Sequence, residues 1–169
     1  MNRGRPPQIV SVRRMTANDR GAVLAINAQN VPHVAALDGS ELTRLLDAHA
    51  CLLVAVTDDG ERIGYLIAFD RGCPYDGEEF LCLQQAIRHD FLYIDQVAIS
   101  GPFRGAGIGR KLYGAAEASA RAGAWICCEV NERPPNPGSM SFHVALGFEK
   151  LRSMETRDGR TVALLARQR

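Results

Sequence analysis

The period of apolar and polar positions changes several times along the chain, and each change predicts an element. Ile9 to Met15 alternates loosely and is β-branched, which predicts a first strand. Thr16-Ala17-Asn18-Asp19 then offers helix-capping side chains, and Val23, Leu24, Ile26 and Val31 suit a helix ending before Pro32. Asp38-Gly39-Ser40-Glu41 has the spacing of a capping box, followed by an apolar stripe of Leu42, Leu45 and Leu46. Cys51 to Thr57 is a continuous apolar run, Asp58-Asp59-Gly60-Glu61 a hairpin turn, and Arg62 to Phe69 the returning strand.

Asp70 to Asp90 mixes Gly, Pro, acids and aromatics, which predicts a long loop with a short helix near Leu81 to Ile87. Phe91 to Ser100 predicts a strand that Gly101-Pro102 breaks. Ile108 to Ala122 carries Ile108, Leu112, Ala116 and Ala120 at helical steps, with Gly123 as C-cap. Ala124 to Asn131 reads as a buried strand, Glu132 to Pro137 as a stiff connector, and Gly138 to Leu146 as a short helix stopped by Gly147. Phe148 to Glu155 and Arg160 to Ala166 form a last hairpin. The order β-α-α-β-β-β-α-β-α-β-β predicts one α/β domain over residues 1–169, with a mixed, mostly antiparallel twisted sheet flanked by about four helices.

Composition narrows the function classes. The chain has 169 residues, 46% hydrophobic and 23% charged, which excludes long disorder and low-complexity character. Its formal net charge of +1 gives no bulk reason to bind nucleic acid or an anionic membrane. No apolar run approaches the roughly 18 residues of a membrane span. The basic Met1–Pro7 stretch is followed by no apolar segment, so a signal peptide is not expected. Five cysteines, Cys51, Cys73, Cys82, Cys127 and Cys128, have no metal spacing and read as reduced thiols of a cytoplasmic protein. No metal site is expected.

The most informative segment is Arg104-Gly105-Ala106-Gly107-Ile108-Gly109-Arg110, between a strand and a helix. Glycines let backbone approach an anion closely. The free amides and positive dipole end of the following helix complete a phosphate cradle, with Arg104 and Arg110 at its ends. A P-loop would need Gly-x-x-x-x-Gly-Lys-Ser/Thr, which is absent. A dinucleotide fingerprint would need Gly where Arg110 or Leu112 stands.

The pattern that fits is Arg-x-x-Gly-x-Gly, formed by Arg104, Gly107 and Gly109. It resembles the pyrophosphate loop of the GNAT acyltransferase superfamily. Three further stretches extend the resemblance. Asp95-Gln96-Val97-Ala98-Ile99 looks like the strand whose backbone meets the pantetheine arm, Glu129-Val130-Asn131 ends where the family often places a cofactor-contacting Asn, and Ser139 to Phe148 looks like its S-x-x-F-Y-x-x-L-G-F element. Cys128-Glu129-Val130-Asn131-Glu132-Arg133-Pro134-Pro135-Asn136-Pro137 is similar to a bacterial subgroup of predicted acetyltransferases. The resemblance implies acetyl-CoA as co-substrate and an N-acetyltransferase acting on a small-molecule or peptide amine. It is compatible with a homodimer. Cofactor contacts would fall on Val97, Ala98 and Ile99, on Arg104, Gly105, Ala106, Gly107, Ile108, Gly109 and Arg110, and on Asn131, Asn136, Ser139, Phe142 and His143.

Acetyl transfer to an amine needs a proton acceptor for the ammonium and benefits from a donor to the leaving thiolate. His143 stands where the family pattern has its Tyr acid, so His143 or Tyr93 is the candidate acid, or His143 merely packs. Asp95 and Glu129, acids inside apolar strands, are the candidate bases, against a purely structural role. Alternation predicts that Tyr93, Asp95 and Val97 share one face, as do Trp125, Cys127, Glu129 and Asn131. Asn136 is also a natural helix N-cap before Pro137. The acceptor wall is expected from Asn27, Asn30, His33, Asp38, Tyr75, Asp76, Glu78, Glu79 and Tyr93. Two alternatives remain: a module that holds acyl-CoA without turnover, and an interaction protein whose glycine turn is incidental.

Overall fold

The computed structural model describes residues 9–169, so the Met1–Pro7 stretch lies outside the described residues. Seven strands form one sheet: β1 (Val10–Arg14), β2 (Cys51–Thr57), β3 (Arg62–Asp70), β4 (Phe91–Ile99), β5 (Trp125–Arg133), β6 (Glu149–Glu155) and β7 (Thr161–Gln168), in the order β1-β2-β3-β4-β5-β7-β6. All neighbours are antiparallel except β4 and β5. The helices are α1 (Arg20–Asn30), α2 (Gly39–Asp47), α3 (Glu78–Ala86), α4 (Ile108–Ser119) and α5 (Pro137–Ala145).

Helices cover both faces of the sheet. Val23 and Ile26 of α1, Leu42 and Leu45 of α2, and Phe80 and Leu83 of α3 pack with Tyr65, Ile67, Phe69 and Tyr93 on one side. Ile108, Leu112, Tyr113 and Ala116 of α4, with Met140 and Phe142 of α5, pack on the other. This two-sided burial explains the continuous apolar runs of β2 and β3, whose residues are nearly all buried.

Local signals place most boundaries. Asp38 caps α2 by accepting from the Glu41 amide at 2.8 Å. Asn136 caps α5 by accepting from the Ser139 amide at 3.1 Å, with Pro137 in the first turn. α3 begins at Glu78, ahead of the expected Leu81, because Glu78 and Glu79 favour the positive end of a helix. It raises the helix count above the expected four. α4 stops at Ser119, short of Ala122, and Gly123 serves the following turn with φ +75°.

Asp19 ties the entry of α1 to the sheet. Its carboxylate takes two bonds from Arg13, at 2.7 and 2.9 Å, one from Arg62 at 2.8 Å and one from the Thr16 amide at 2.7 Å. These charge-assisted bonds, led by Arg13, hold the buried carboxyl well below the usual range.

Candidate functional site

The parallel pair β4–β5 is short. Register runs from Phe91 with Trp125 to Ile94 with Cys128 and then stops, although β4 continues to Ile99 and β5 to Arg133. Asp95 marks the parting point. Gln96 pairs with Ile67 and Ile94 with Ala68, so Asp95 is an extra residue in β4, a β-bulge. The bulge overturns the expected shared face of Tyr93, Asp95 and Val97. Tyr93 packs toward α1–α3, whereas Val97 packs on the α4 side. β5 keeps its alternation: Cys127 lies on the α1–α3 side with Trp125, and Glu129 reaches Tyr93 on that same side.

The gap between the strands opens into two joined cavities. The first, about 660 Å³, is lined by Val97, Ile99, the Arg104–Arg110 loop except Ala106, and by Asn136, Ser139, Phe142 and His143. The second, about 420 Å³, is lined by Ile94, Asp95, Gln96, Val97, Glu129, Asn131, Tyr75, Glu79 and Arg160, and by the α1–α2 loop. Val97, His33, Val34, Asn136, Ser139 and His143 belong to both, so the two form one passage.

The glycine turn has the build of an anion cradle. Gly105 and Gly107 both adopt φ +78°, a left-handed conformation that side chains strain, and a Cβ at either would project into open space. Gly107 is the N-cap of α4, so the first amides of the helix, Ile108, Gly109 and Arg110, have no intrahelical acceptor and face the cavity they line. A Cβ on Gly109 would come within 3.0 Å of the Phe142 ring, so that glycine serves close packing against α5. Arg104 is anchored at the rim by donating to Asn30 Oδ1 at 2.8 Å. These features fit a pyrophosphate. The neighbouring edge of β4, from Val97 through Ala98 to Ile99, is not paired by β5, apart from the Ile99 carbonyl that accepts from Asn30 and Arg104, and fits an extended amide-bearing arm.

In the second cavity two phenol–carboxylate pairs stand side by side. Tyr75 donates to Asp95 Oδ1 at 2.7 Å and Tyr93 donates to Glu129 Oε2 at 2.6 Å. The two rings lie 6.4 Å apart. Among the described residues neither carboxylate has an ion pair. Loss of hydration pushes the Asp95 carboxyl up to about 6, with the Tyr75 bond opposing and the charge on Glu79 adding. Burial pushes Glu129 well above the carboxylate range, reinforced by Asp95 and Glu79. Burial also raises the Tyr93 phenol well above its ordinary value.

His143 is buried and engaged at both ring nitrogens. Nδ1 lies 2.7 Å from the Ser139 carbonyl and Nε2 lies 2.7 Å from the Tyr113 hydroxyl. A carbonyl only accepts, so Nδ1 carries the proton and Nε2 accepts from Tyr113. Burial lowers the His143 pKa, which favours this neutral form. Tyr113 lines the second cavity and is a site residue with no distinct sequence signal, one aromatic among the apolar positions of α4. Arg160 is a second residue that the sequence did not single out. It donates to Asp158 at 2.8 Å and to Asn131 Oδ1 at 3.0 Å.

Of the expected wall residues, His33, Tyr75 and Glu79 line the second cavity and Asn30 the first, while Tyr93 meets it through Glu129. Asn27 instead binds Tyr65 and Gln96 in the core, Asp38 caps α2, Asp76 pairs with Arg44, and Glu78 accepts from the Arg157 amide. All five cysteines are free. Cys127 is pushed up to about 12 by burial, the opposite of an activated thiol.

The chain matches the sequence profile described as "Acetyltransferase (GNAT) family" over residues 24–148. Among solved structures it resembles yncA from Salmonella typhimurium, solved with its cofactor acetyl-CoA, at 20% identity over 95% of this chain and 94% of that one, TM-score 0.66. Arabidopsis thaliana NAA60 in complex with acetyl-CoA gives 14% identity over 95% and 100%, TM-score 0.73. A phosphinothricin acetyltransferase from Sinorhizobium meliloti, in complex with AcCoA, gives 21% identity over 94% and 88%, TM-score 0.65. No curated protein sequence matches significantly.

Proposed function

Since the chain belongs to the acetyltransferase (GNAT) family, we propose that it moves an acetyl group from acetyl-CoA to the amine of a small-molecule or peptide acceptor by direct attack. One observation carries this reading: an anion cradle and a pair of half-buried carboxylates lie at opposite ends of one passage through the parted strands. Several resembling structures hold acetyl-CoA, which supports the same assignment of the cradle.

Bound acetyl-CoA would supply the activated thioester carbonyl. The amides of Gly105, Gly107, Ile108, Gly109 and Arg110, with the Arg104 and Arg110 guanidiniums, hold the pyrophosphate, while the Ala106 amide closes the turn on the Phe103 carbonyl at 3.4 Å. Backbone of Val97 and Ile99 orients the arm, and Asn136, Ser139 and Phe142 close the α5 side. Asn131 stands on the acceptor side and positions Arg160.

Asp95 is the better base of the two carboxylates. Its pKa of about 6 leaves it ionised at neutral pH, whereas Glu129 holds its proton longer. The ammonium loses its proton to Asp95, the free amine attacks, and the leaving sulfur takes a proton. His143 has no free proton of its own, because Nδ1–H is committed to Ser139. The Tyr113 hydroxyl proton is likewise committed, to His143 Nε2, so the sulfur takes the second proton that the attacking nitrogen sheds as the amide forms, and Tyr93 keeps Glu129 in place.

The test is thermal stability with acetyl-CoA, then thiol release over an amine panel. A ligand at 100 times its Kd adds about 2.7 kcal/mol to a folded state, a shift of about 5–11 °C for a domain of this size. Gly107→Glu is expected to abolish the shift. No shift in the parent protein overturns the acetyl-CoA assignment, and a shift without thiol release from any amine leaves a binding module instead of an enzyme.

A further inference from the structure

The acceptor cavity combines a set of charges that are mostly spent with an apolar stretch that nothing covers. Arg160 is the only arginine or lysine in its lining, and all three guanidinium nitrogens are engaged: Nε with Asp158 at 2.8 Å, Nη2 with Glu79 at 3.5 Å and Nη1 with Asn131 Oδ1 at 3.0 Å. Glu41 is paired with Arg44 at 2.8 Å. Glu129 keeps its proton. Among the described residues, Asp95 is left as the lining carboxylate that is ionised at neutral pH and has no cation; its partner is the Tyr75 phenol.

The α1–α2 connection lines the same cavity with Val31, Pro32, Val34, Ala35, Ala36 and Leu37. Four of the six are exposed, and Val34 and Leu37 are half-buried. An exposed apolar stretch beside a cavity marks a surface that a ligand covers. Of the six only Val34 also lines the cofactor cavity, so a cofactor there leaves the other five to the acceptor. The stretch is anchored over the β4 bulge. Gln96, next to Asp95, donates to the Ala35 carbonyl at 3.2 Å, Asn27 donates to the same carbonyl at 2.9 Å, and the Leu37 amide donates to Asn27 Oδ1 at 2.8 Å. The apolar surface is therefore held beside the base before any ligand arrives. The cavity, about 420 Å³, has the volume of a small-molecule site. The free strand edge beside it, on β4, is the one that fits the cofactor arm, so a peptide acceptor has no β4 edge left to pair with.

Resting on the acetyl-transfer reading for the site itself, we propose that the acceptor is a small primary monoamine with an apolar alkyl or arylalkyl body, its nitrogen at Asp95 and its body along Val31 to Leu37. A second ammonium on the body would lose its water against apolar side chains and find the carboxylates beyond Asp95 already paired or protonated. A carboxylate would find every nitrogen of Arg160 engaged.

Hexylamine, cadaverine and 6-aminohexanoate test this, because they share one chain length and differ only at the far end: a methyl, an ammonium or a carboxylate. Propylamine tests the apolar body by shortening it. Titration calorimetry on the CoA-loaded protein reads acceptor binding without turnover, and thiol release reads kcat/KM. Hexylamine is expected to exceed each of the other three by roughly tenfold in both. Ala36→Asp puts a charge on the apolar stretch and should shrink the hexylamine-to-propylamine ratio severalfold, with a retained acetyl-CoA thermal shift reporting that the variant is folded. Cadaverine or 6-aminohexanoate matching hexylamine, or a hexylamine-to-propylamine ratio indifferent to Ala36→Asp, overturns the assignment while leaving acetyl transfer intact. A pentapeptide with a free N-terminus that outpaces hexylamine overturns it as well, in favour of a peptide acceptor. Failure of the acetyl-transfer reading shows separately, as an absent acetyl-CoA thermal shift in the parent protein.

Discussion

Asp95 shows how one residue can be set against the stability of the fold that holds it. Burial raises its pKa to about 6, so above that pH the fold carries an ion it would rather keep neutral. Asp95→Asn is therefore expected to raise the melting temperature at pH 8, with the gain shrinking as pH falls from about 6 and gone below the unfolded value of about 3.9. The same change removes the proposed base. Parent kcat/KM should climb as pH rises through about 6 and then level, because the carboxylate is then ionised, and this acid limb should vanish in Asp95→Asn along with most activity. A limb that survives the substitution assigns the base to another group. Asp19 has the opposite sign. Its folded-state pKa is depressed, so it stabilises the fold above the unfolded value of about 3.9 and loses that effect as pH falls below it. Asp19→Asn should cost about 2–4 kcal/mol at pH 7 in a denaturant titration, at the lower end because Arg13 and Arg62 reach water. The variant should also show a flatter loss of stability below pH 4. Both acids are equally plain in the sequence as carboxylates near apolar strands. Only the neighbours, Tyr75 for one and two arginines for the other, separate their roles, and of these Tyr75 and Arg62 are distant in sequence.

At the scale of elements, the glycine turn and the caps were legible because their physics is local. Gly107 needs its left-handed φ, Asn136 needs only the amide three residues on, and both requirements are written in adjacent letters. Asn136→Ala should cost about 1 kcal/mol through loss of the α5 cap. It should also weaken acetyl-CoA, since α5 carries Ser139, Phe142 and His143 into both cavities; a stability loss with unchanged ligand affinity would make Asn136 a cap only. The β4 bulge was not legible. Alternation from Tyr93 to Val97 reads as an unbroken strand, and an inserted residue shows only against the partner register of Ile67 and Ala68. α3 was half legible: its apolar positions gave the helix, but its early start depends on two glutamates that also suit a loop.

At the scale of the whole molecule, the sheet is two halves held at a short seam. Residues Phe91 to Ile94 pair with Trp125 to Cys128, and beyond them the halves separate around the passage. The order of elements predicted a mixed sheet of this kind, but where β4 and β5 part could not be read, since parallel pairing joins segments with no turn between them to fix register. The cradle is built by β4 and α4, while α5 and the acceptor carboxylates are shared with the far half, so a ligand filling the passage bridges a seam that few backbone bonds cross. Acetyl-CoA should therefore slow amide exchange unevenly. Amides of Gln96 to Ile99, on the strand segment with an open side, and of Gly105 and Gly107 to Arg110 in the turn should gain protection, as should α5. Amides from Leu92 to Ile94, already inside the seam, should change only with global stability. Hydrogen–deuterium exchange with and without acetyl-CoA separates the two outcomes. Uniform protection across the sheet would mean that the ligand stabilises the fold from outside the gap, and the passage would lose its place as the cofactor route.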